Sequence, residues 1–112
     1  MKKSGALRIK VNHVDYYVLP LGAESTEEAV GWHQPKEQTI YIDPGHPPSE
    51  QVRILFHELI HAFWWAYNLT EEMRDEEKVC DALESPLAAL FRDNPRLGQI
   101  IRGAFSGKPL VK

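Results

Sequence analysis

The chain has 112 residues, of which 43% are hydrophobic and 26% are charged, and its formal net charge is -3. These values are typical of one globular domain, and they exclude both a disordered chain and a catalytic domain with a separate recognition domain. The balance of 13 basic and 16 acidic residues gives no overall basic field, so we expect neither nucleic acid nor a membrane as a partner.

The sequence also predicts a cytoplasmic protein. Lys2 and Lys3 are not followed by the apolar run of a signal peptide, and no run is long enough to span a bilayer. Cys80 is the only cysteine, so no intrachain disulfide can form. This fits a reducing compartment, with stability supplied by the core and by a bound metal.

Two β-hairpins are predicted in the first half of the chain. Short β-prone runs, paired across polar turns at 12–13 and 34–37, lie at 7–11, 16–19, 29–33 and 39–43. The proline-rich stretch that follows, 43–48, should end the sheet because proline supplies no amide proton to a ladder.

Three helices are predicted in the second half, the first over about 49–67. Candidate caps are Ser49 and Asn68 for the first helix, Thr70 for the second, and Asn94 with Pro95 for the third. Pro86 should break or kink the second helix. Residues 106–112 are predicted to form a flexible tail of a single domain, 1–112.

The first helix carries an unusual set of polar residues. Residues 54–66 read ILFHELIHAFWWA, in which only His57, Glu58 and His61 are polar. A helix that is apolar on nearly every side is expected to be buried on nearly every side. Burying three ionisable groups without partners would cost several kcal/mol, at roughly 2 kcal/mol or more each. We therefore expect a partner such as a metal ion.

The spacing of these residues fits a zinc peptidase. His57 and His61 are about 400° apart around a helix, so both imidazoles project from one face and can bind one ion at about 2.0 to 2.1 Å. Glu58, about 100° away, can act as the general base on a zinc-activated water. A shuffled chain of this composition would contain this HExxH motif only about 0.02 times.

A catalytic zinc ion needs a third protein ligand. Helical phase favours Glu77, which lies one turn before Asp81 beside an apolar stripe, and Glu76 is the alternative. Asp81 is either a surface charge or the acceptor of the outer ring proton of a ligating histidine. Cys80 could bind zinc, but its apolar neighbours favour a position in the core.

Other side chains could contact a bound substrate. Four of them could stabilise the oxyanion formed during peptide hydrolysis, namely His33, His46, Tyr41 and Tyr67. His46, in the loop before the first helix, is the preferred one, and its alternative is an ordinary loop residue. Trp64 and Trp65 are interpreted as packing residues, although an exposed tryptophan beside the site could contact a substrate side chain.

Two segments carry a resemblance to a known family. His57-Glu-Leu-Ile-His61, followed after fifteen residues by Glu77-Lys-Val-Cys-Asp81, resembles the HExxH and ExxxD pattern of gluzincins such as the thermolysin-like enzymes. Within that group, the short chain and the strand just before the helix resemble the ImmA/IrrE-like metallopeptidases of phages and mobile elements. The resemblance covers about residues 39–90. Leu83 and Glu84 depart from it, because that family usually has an aromatic-alanine pair there.

The resemblance implies both a site and a fold. His57, His61 and Glu77 would bind one zinc ion per chain, Glu58 would be the general base, and Asp81 would orient a ligand. The implied fold is α+β and zincin-like, with a small antiparallel sheet of three or four strands packed on the HExxH helix and two or three further helices. Its edge strand, here 39–43, would pair with an extended peptide.

The predicted function is therefore that of a zinc-dependent metallopeptidase, an endopeptidase acting on a protein or peptide substrate. The alternative is a non-catalytic interaction module, stabilised by zinc, that regulates a phage or host protein.

Overall fold

The computed structural model describes residues 5–22, 30–69 and 76–112, and it describes only the backbone of Glu76, Glu77 and Asp81. These residues form four strands and three helices: β1 (Leu7–Val11), β2 (Val14–Pro20), β3 (Gly31–Gln34), β4 (Thr39–Ile42), α1 (Pro48–Ala66), α2 (Glu76–Asp93) and α3 (Leu97–Phe105). The predicted α+β class is confirmed. The predicted cap Thr70 lies outside the described residues. None of the described helices is long and apolar enough to cross a membrane.

The sheet has the strand order β1-β2-β4-β3. Both predicted hairpins are present and antiparallel, but β2 and β4 are parallel, so the sheet is mixed and the prediction of an antiparallel sheet is wrong. The predicted edge strand 39–43 is also wrong, because β4 is internal and β3 forms the edge. β4 carries the fully buried Ile40 and Ile42 and lies between β2 and β3, whereas β3 is more polar.

The core lies between one face of the sheet and α1. Alternate strand residues point inward, as the pleat requires. The buried side chains include Ile9, Tyr16 and Ile40 from the sheet, Leu55, Leu59 and Phe63 from α1, and Leu97 and Ile101 from α3. α1 contacts β3, β4 and α3, while α2 packs against β1. One face of α1 is thereby covered.

The bounds of α1 agree closely with the predicted helix, but its N-cap differs. Pro47 is the N-cap and Pro48 is the first helical residue, so the prediction of Ser49 as the cap is wrong. Proline suits these positions because its ring fixes φ near the helical value. In addition, the amide groups of the first turn have no partner within the helix, so the missing N–H costs no hydrogen bond. Tyr67 is the C-cap, and Asn68 follows with a φ of 54°, a left-handed conformation that ends the helix as predicted.

Pro86 does not interrupt α2, which runs through it, so the predicted break is wrong. The apolar residues Leu83 and Leu90, on either side of Pro86, both pack against the core. Their burial outweighs the single backbone hydrogen bond that proline removes.

The Asn94 side chain hydrogen-bonds the outer edge of β1 instead of capping α3, whose N-cap is Arg96. Its Oδ1 accepts the Lys10 amide proton at 2.7 Å, and its Nδ2 donates to the Lys10 carbonyl at 2.9 Å. The same Nδ2 also donates to the Leu90 carbonyl at 2.6 Å. The prediction of Asn94 as a cap is therefore wrong, because its amide pairs with β1 as a further strand would.

The predicted tail, 106–112, is not free at its end. The Gln51 side chain is buried, and its Oε1 accepts the amide protons of Leu110 at 2.7 Å and Val111 at 3.1 Å. Its Nε2 donates to the carbonyls of Val111 and His46. Val111 is 5% exposed, so apolar burial and a fully satisfied amide hold this segment against α1.

Candidate active site

α1 exposes the stripe that carries the two histidines of the motif. His57 and His61 are exposed, together with Ile60, which is 44% exposed, and Trp65, which is 53% exposed. The expectation that this helix is buried on nearly every side is wrong, because the sheet and α3 cover one face only. The two histidines therefore lie on an open surface that combines imidazoles with large apolar side chains.

The rings of His57 and His61 are neighbours one helical turn apart. Their centroids are 5.0 Å apart, and their planes are inclined at 69°. Neutral imidazole is a preferred zinc ligand, and residues at this spacing can direct one nitrogen each at a single ion. The pair therefore supplies two of the donors that a zinc site requires.

Glu58 lies on the covered side of α1, directly beneath the backbone of β3. Its side chain is buried, and a Cβ atom placed on Gly31 would lie 3.0 Å from the Glu58 Oε2 and 2.5 Å from the Ile54 Cγ2. A larger residue at this position would force the side chain of Ile54 to shift and would crowd that of Glu58. Gly31 is absent from the predicted site, although a glycine inside a predicted strand is a sign of close backbone packing.

The carboxyl group of Glu58 has an altered acidity. Burial raises its pKa above the ordinary value, and the nearby His57 and His61 offset that rise only in part. No polar side-chain atom of the described residues is both buried and without a hydrogen bond. Because no described residue donates a hydrogen bond to this carboxylate, the group must keep contact with solvent. It can therefore exchange a proton with a water molecule.

His33 on β3 is held beside His61 by a buried tyrosine. Its Nε2 lies 2.8 Å from the Tyr16 Oη, within hydrogen-bond distance. Burial, and then the charge of His61, lower the pKa of His33 to about 4, while burial raises the pKa of Tyr16 to about 12. At neutral pH this pair therefore consists of a neutral imidazole and a protonated phenol.

Two of the other predicted oxyanion donors, His46 and Tyr41, lie away from the histidine pair, and the third, Tyr67, packs its ring against the buried Phe63. His46 is 3.5 Å from the Asp43 carboxylate in the loop before α1. His57 is nine residues into α1 beyond Pro48, which corresponds to about 14 Å along the helix axis. Tyr41, between two inward-facing isoleucines of β4, faces away from α1. The structure thus brings His33, and not the preferred His46, to the pair.

The predicted third ligand lies outside the described side chains. This holds for Glu77, for its alternative Glu76 and for Asp81, whose backbones belong to α2. Cys80 is exposed, so its predicted core position is wrong. Within the described part of the chain, no three His, Cys, Asp or Glu side chains are arranged so that they could hold a metal ion. Glu77 as a ligand and Asp81 as its neighbour therefore stay predictions.

A cavity of about 640 Å³ adjoins the histidine pair on the side of the α1 C-terminus. Its lining combines residues of α1, of the segment that follows α1, and of β3 with the turn after it: His33, Pro35, His61, Trp64, Trp65, Asn68 and Leu69. His33 and His61 belong to both the cavity and the candidate site, so the two are continuous.

Comparisons with known proteins identify no relative of this chain. No family model, no curated protein and no solved structure matches it. The resemblance to gluzincins therefore stays a prediction, and the candidate site is defined by the geometry of this chain alone.

Proposed function

We propose that this protein is a zinc-dependent peptidase in which His57 and His61 bind the ion and Glu58 is the general base. One observation carries the proposal. Two imidazoles with centroids 5.0 Å apart lie on an exposed stripe beside a buried carboxyl group whose pKa is raised. A buried carboxyl group is costly, and such groups with altered acidity cluster at functional sites.

The donor set fits zinc. Two histidine nitrogens from consecutive turns of one helix are typical zinc ligands, and a carboxylate such as that of Glu77 would complete three protein ligands. When bound, the ion would act as a Lewis acid toward water and toward the substrate carbonyl.

In this proposal Glu58 transfers the protons. Its carboxylate accepts a proton from the attacking water and then delivers that proton to the leaving amine of the cleaved peptide. The raised pKa makes Glu58 a stronger base than an exposed glutamate. We assign the oxyanion-stabilising role to His33 rather than to His46. Tyr16 holds the Nε2 of His33 and leaves its Nδ1 available to donate a hydrogen bond.

The edge strand β3 supports peptide binding beside Glu58. The Asp43 amide donates to the Val30 carbonyl at 2.8 Å, so with the β3–β4 register the alternate residues Gly31 and His33 direct their backbone groups away from β4. An extended peptide can pair with such an edge. Because Gly31 contacts Glu58, a peptide on this edge would pass close to the proposed base.

Metal analysis tests the binding half of the proposal. Protein purified without added zinc or a metal-binding tag should contain about one zinc per chain by mass spectrometry, and His61→Ala should lose it. The matched control is His13→Ala, an exposed histidine in the β1–β2 turn, which should keep the zinc. A well-folded wild-type protein that binds no zinc when zinc is offered would disprove the metal site.

Hydrolysis tests the catalytic half. Zinc-loaded wild type should cleave members of a peptide library, and Glu58→Gln should reduce kcat at least about 100-fold while keeping its zinc. If zinc-loaded wild type cleaves no peptide, or if Glu58→Gln retains the biological effect, the zinc-stabilised interaction module is favoured instead.

A further inference from the structure

We infer that the cavity beside His61 binds a bulky apolar side chain of the peptide substrate, with Trp65 as its main contact. The inference depends on the proposed function, because that function makes the ligand a peptide. It goes further by assigning the class of residue that the site selects.

The lining of the cavity combines apolar side chains with neutral polar ones. Of the described residues that line it, Pro35, Trp64, Trp65 and Leu69 supply apolar surface and the other three supply polar groups: His33, His61 and Asn68. No Asp, Glu, Lys or Arg is among these described residues. Its volume of about 640 Å³ falls within the range of about 300 to 1,000 Å³ that is typical of ligand pockets. An aspartate or lysine side chain would lose hydration there, and the described lining offers it no opposite charge.

Trp65 is in an unusual position for a structural residue. It is 53% exposed and lies one turn after His61 on the same stripe of α1. Ile60, on the same exposed side of the helix, is 44% exposed. Clustered exposed apolar side chains beside a polar site mark a binding surface more often than scattered ones do. An indole also offers a large rigid contact area to an apolar partner.

The direction of β3 links the cavity to the proposed base. Gly31 lies against Glu58, His33 interacts with His61 two residues later, and Pro35, two residues further, lines the cavity. β3 thus runs alongside α1 from the carboxylate toward Trp65. A peptide paired with this edge and passing Glu58 would bring a neighbouring side chain to the cavity.

The experiment measures binding separately from cleavage. Capped peptides of sequence Ala-Ala-Xaa-Ala-Ala, with Xaa as Ala, Leu, Phe or Asp, are titrated by NMR into full-length Glu58→Gln protein loaded with zinc. We expect the Leu and Phe peptides to bind about tenfold more tightly than the Ala peptide. The Asp peptide should bind no better than the Ala peptide.

Variants then assign the preference to the cavity. Adding Trp65→Ala should remove the preference for Leu and Phe, and Trp65→Phe should restore most of it. The matched control is Phe105→Ala, an aromatic residue of α3 that is 62% exposed, and it should keep the full preference. Because Trp65 is half-exposed, its replacement should leave the circular dichroism spectrum unchanged.

Two results would overturn the inference: equal affinity for the Phe and Ala peptides, or a preference that survives Trp65→Ala. Cleavage of the same peptides by wild type is scored independently. Preferential binding without cleavage contradicts the peptidase and supports the assignment of the cavity to an apolar side chain. Cleavage without any preference supports the peptidase and contradicts the assignment of the cavity.

Discussion

The two edges of the sheet differ in whether other residues cover their backbone groups. At the β1 edge, the Asn94 side chain hydrogen-bonds both backbone groups of Lys10, and α2 packs against the strand. At the β3 edge, no strand in the described part of the chain pairs with the outward backbone groups of Gly31 and His33. The residues next to that edge are Glu58 and His61.

This difference indicates where the protein can accept another chain. Unpaired strand edges tend to pair with other chains, so proteins cover the edges that have no use. Here the covered edge carries an ordinary ion pair, between Lys10 and Asp15 at 3.6 Å, and the uncovered one runs past the histidine pair. The open edge is only four residues long, which limits unspecific pairing.

The largest expected effect comes from filling the contact between β3 and Glu58. Gly31→Val should lower the free energy of unfolding by about 3 kcal/mol, because its Cβ would lie 2.5 Å from the Ile54 Cγ2 and 3.0 Å from the Glu58 Oε2. Urea denaturation monitored by circular dichroism measures the change.

The control for this change is Gly98→Ala in the first turn of α3. A Cβ added to Gly98 meets nothing within 4 Å, so the substitution should be neutral or stabilising by up to about 1 kcal/mol. Equal stabilities of the two variants would contradict the close packing of β3 on Glu58.

The second largest effect is expected from removing the side chain that hydrogen-bonds the β1 edge. Asn94→Ala removes two hydrogen bonds to Lys10 and one to Leu90. Each bond contributes about 1 kcal/mol net, and water replaces part of this, so the free energy of unfolding should fall by about 2 kcal/mol. Gln34→Ala on β3 removes no side-chain hydrogen bond and should cost less than about 0.5 kcal/mol. Thermal unfolding compares the two variants. A similar loss of stability in both would mean that the Asn94 hydrogen bonds do not stabilise the β1 edge.

The smallest effect concerns the acidity of His33 at the open edge. An unfolded chain protonates this histidine as the pH falls through about 6.5, whereas the folded protein does so only at about 4. The unfolded state therefore binds more protons in this window. The folded protein should lose about 1 to 2 kcal/mol of stability between pH 7 and pH 5, with no further loss from His33 once the pH is below its folded pKa.

The acid measurement uses metal-free protein, so that loss of a metal does not contribute. His33→Gln should reduce the loss, and His13→Gln, an exposed histidine, should keep it. The raised pKa of Glu58 acts in the opposite direction, so the difference between wild type and His33→Gln isolates the histidine. If both variants lose stability equally, the partly buried pair of His33 and Tyr16 is not the cause.

Local sequence signals predicted the elements well. The turn at Asn12 and the strands beside it follow from residues that are neighbours in the chain, and Asn12 has the positive φ of 57° that reverses it. The spacing of His57 and His61 likewise determines that their rings are close, because helical geometry brings residues four apart together. These features need no information from distant parts of the chain.

Local signals failed where a residue has two plausible partners. Asn94 followed by Pro95 has the pattern of a helix cap, yet its amide pairs with Lys10, 84 residues earlier. Pro86 was expected to break or kink α2, and core packing keeps that helix continuous through it. In both cases the competing interaction comes from a segment that is distant in sequence.

The sequence by itself determined the hairpins, the extent of α1 and the presence of two imidazoles and a carboxylate within five residues of one helix. Only the tertiary structure decided that β3 is the edge strand, that Gly31 lies on Glu58 and that His33 joins His61 while His46 does not. The reason is that helical and strand periodicity act over a few residues. The pairing of β2 with β4 and the packing of the sheet on α1 depend instead on which apolar faces bury each other.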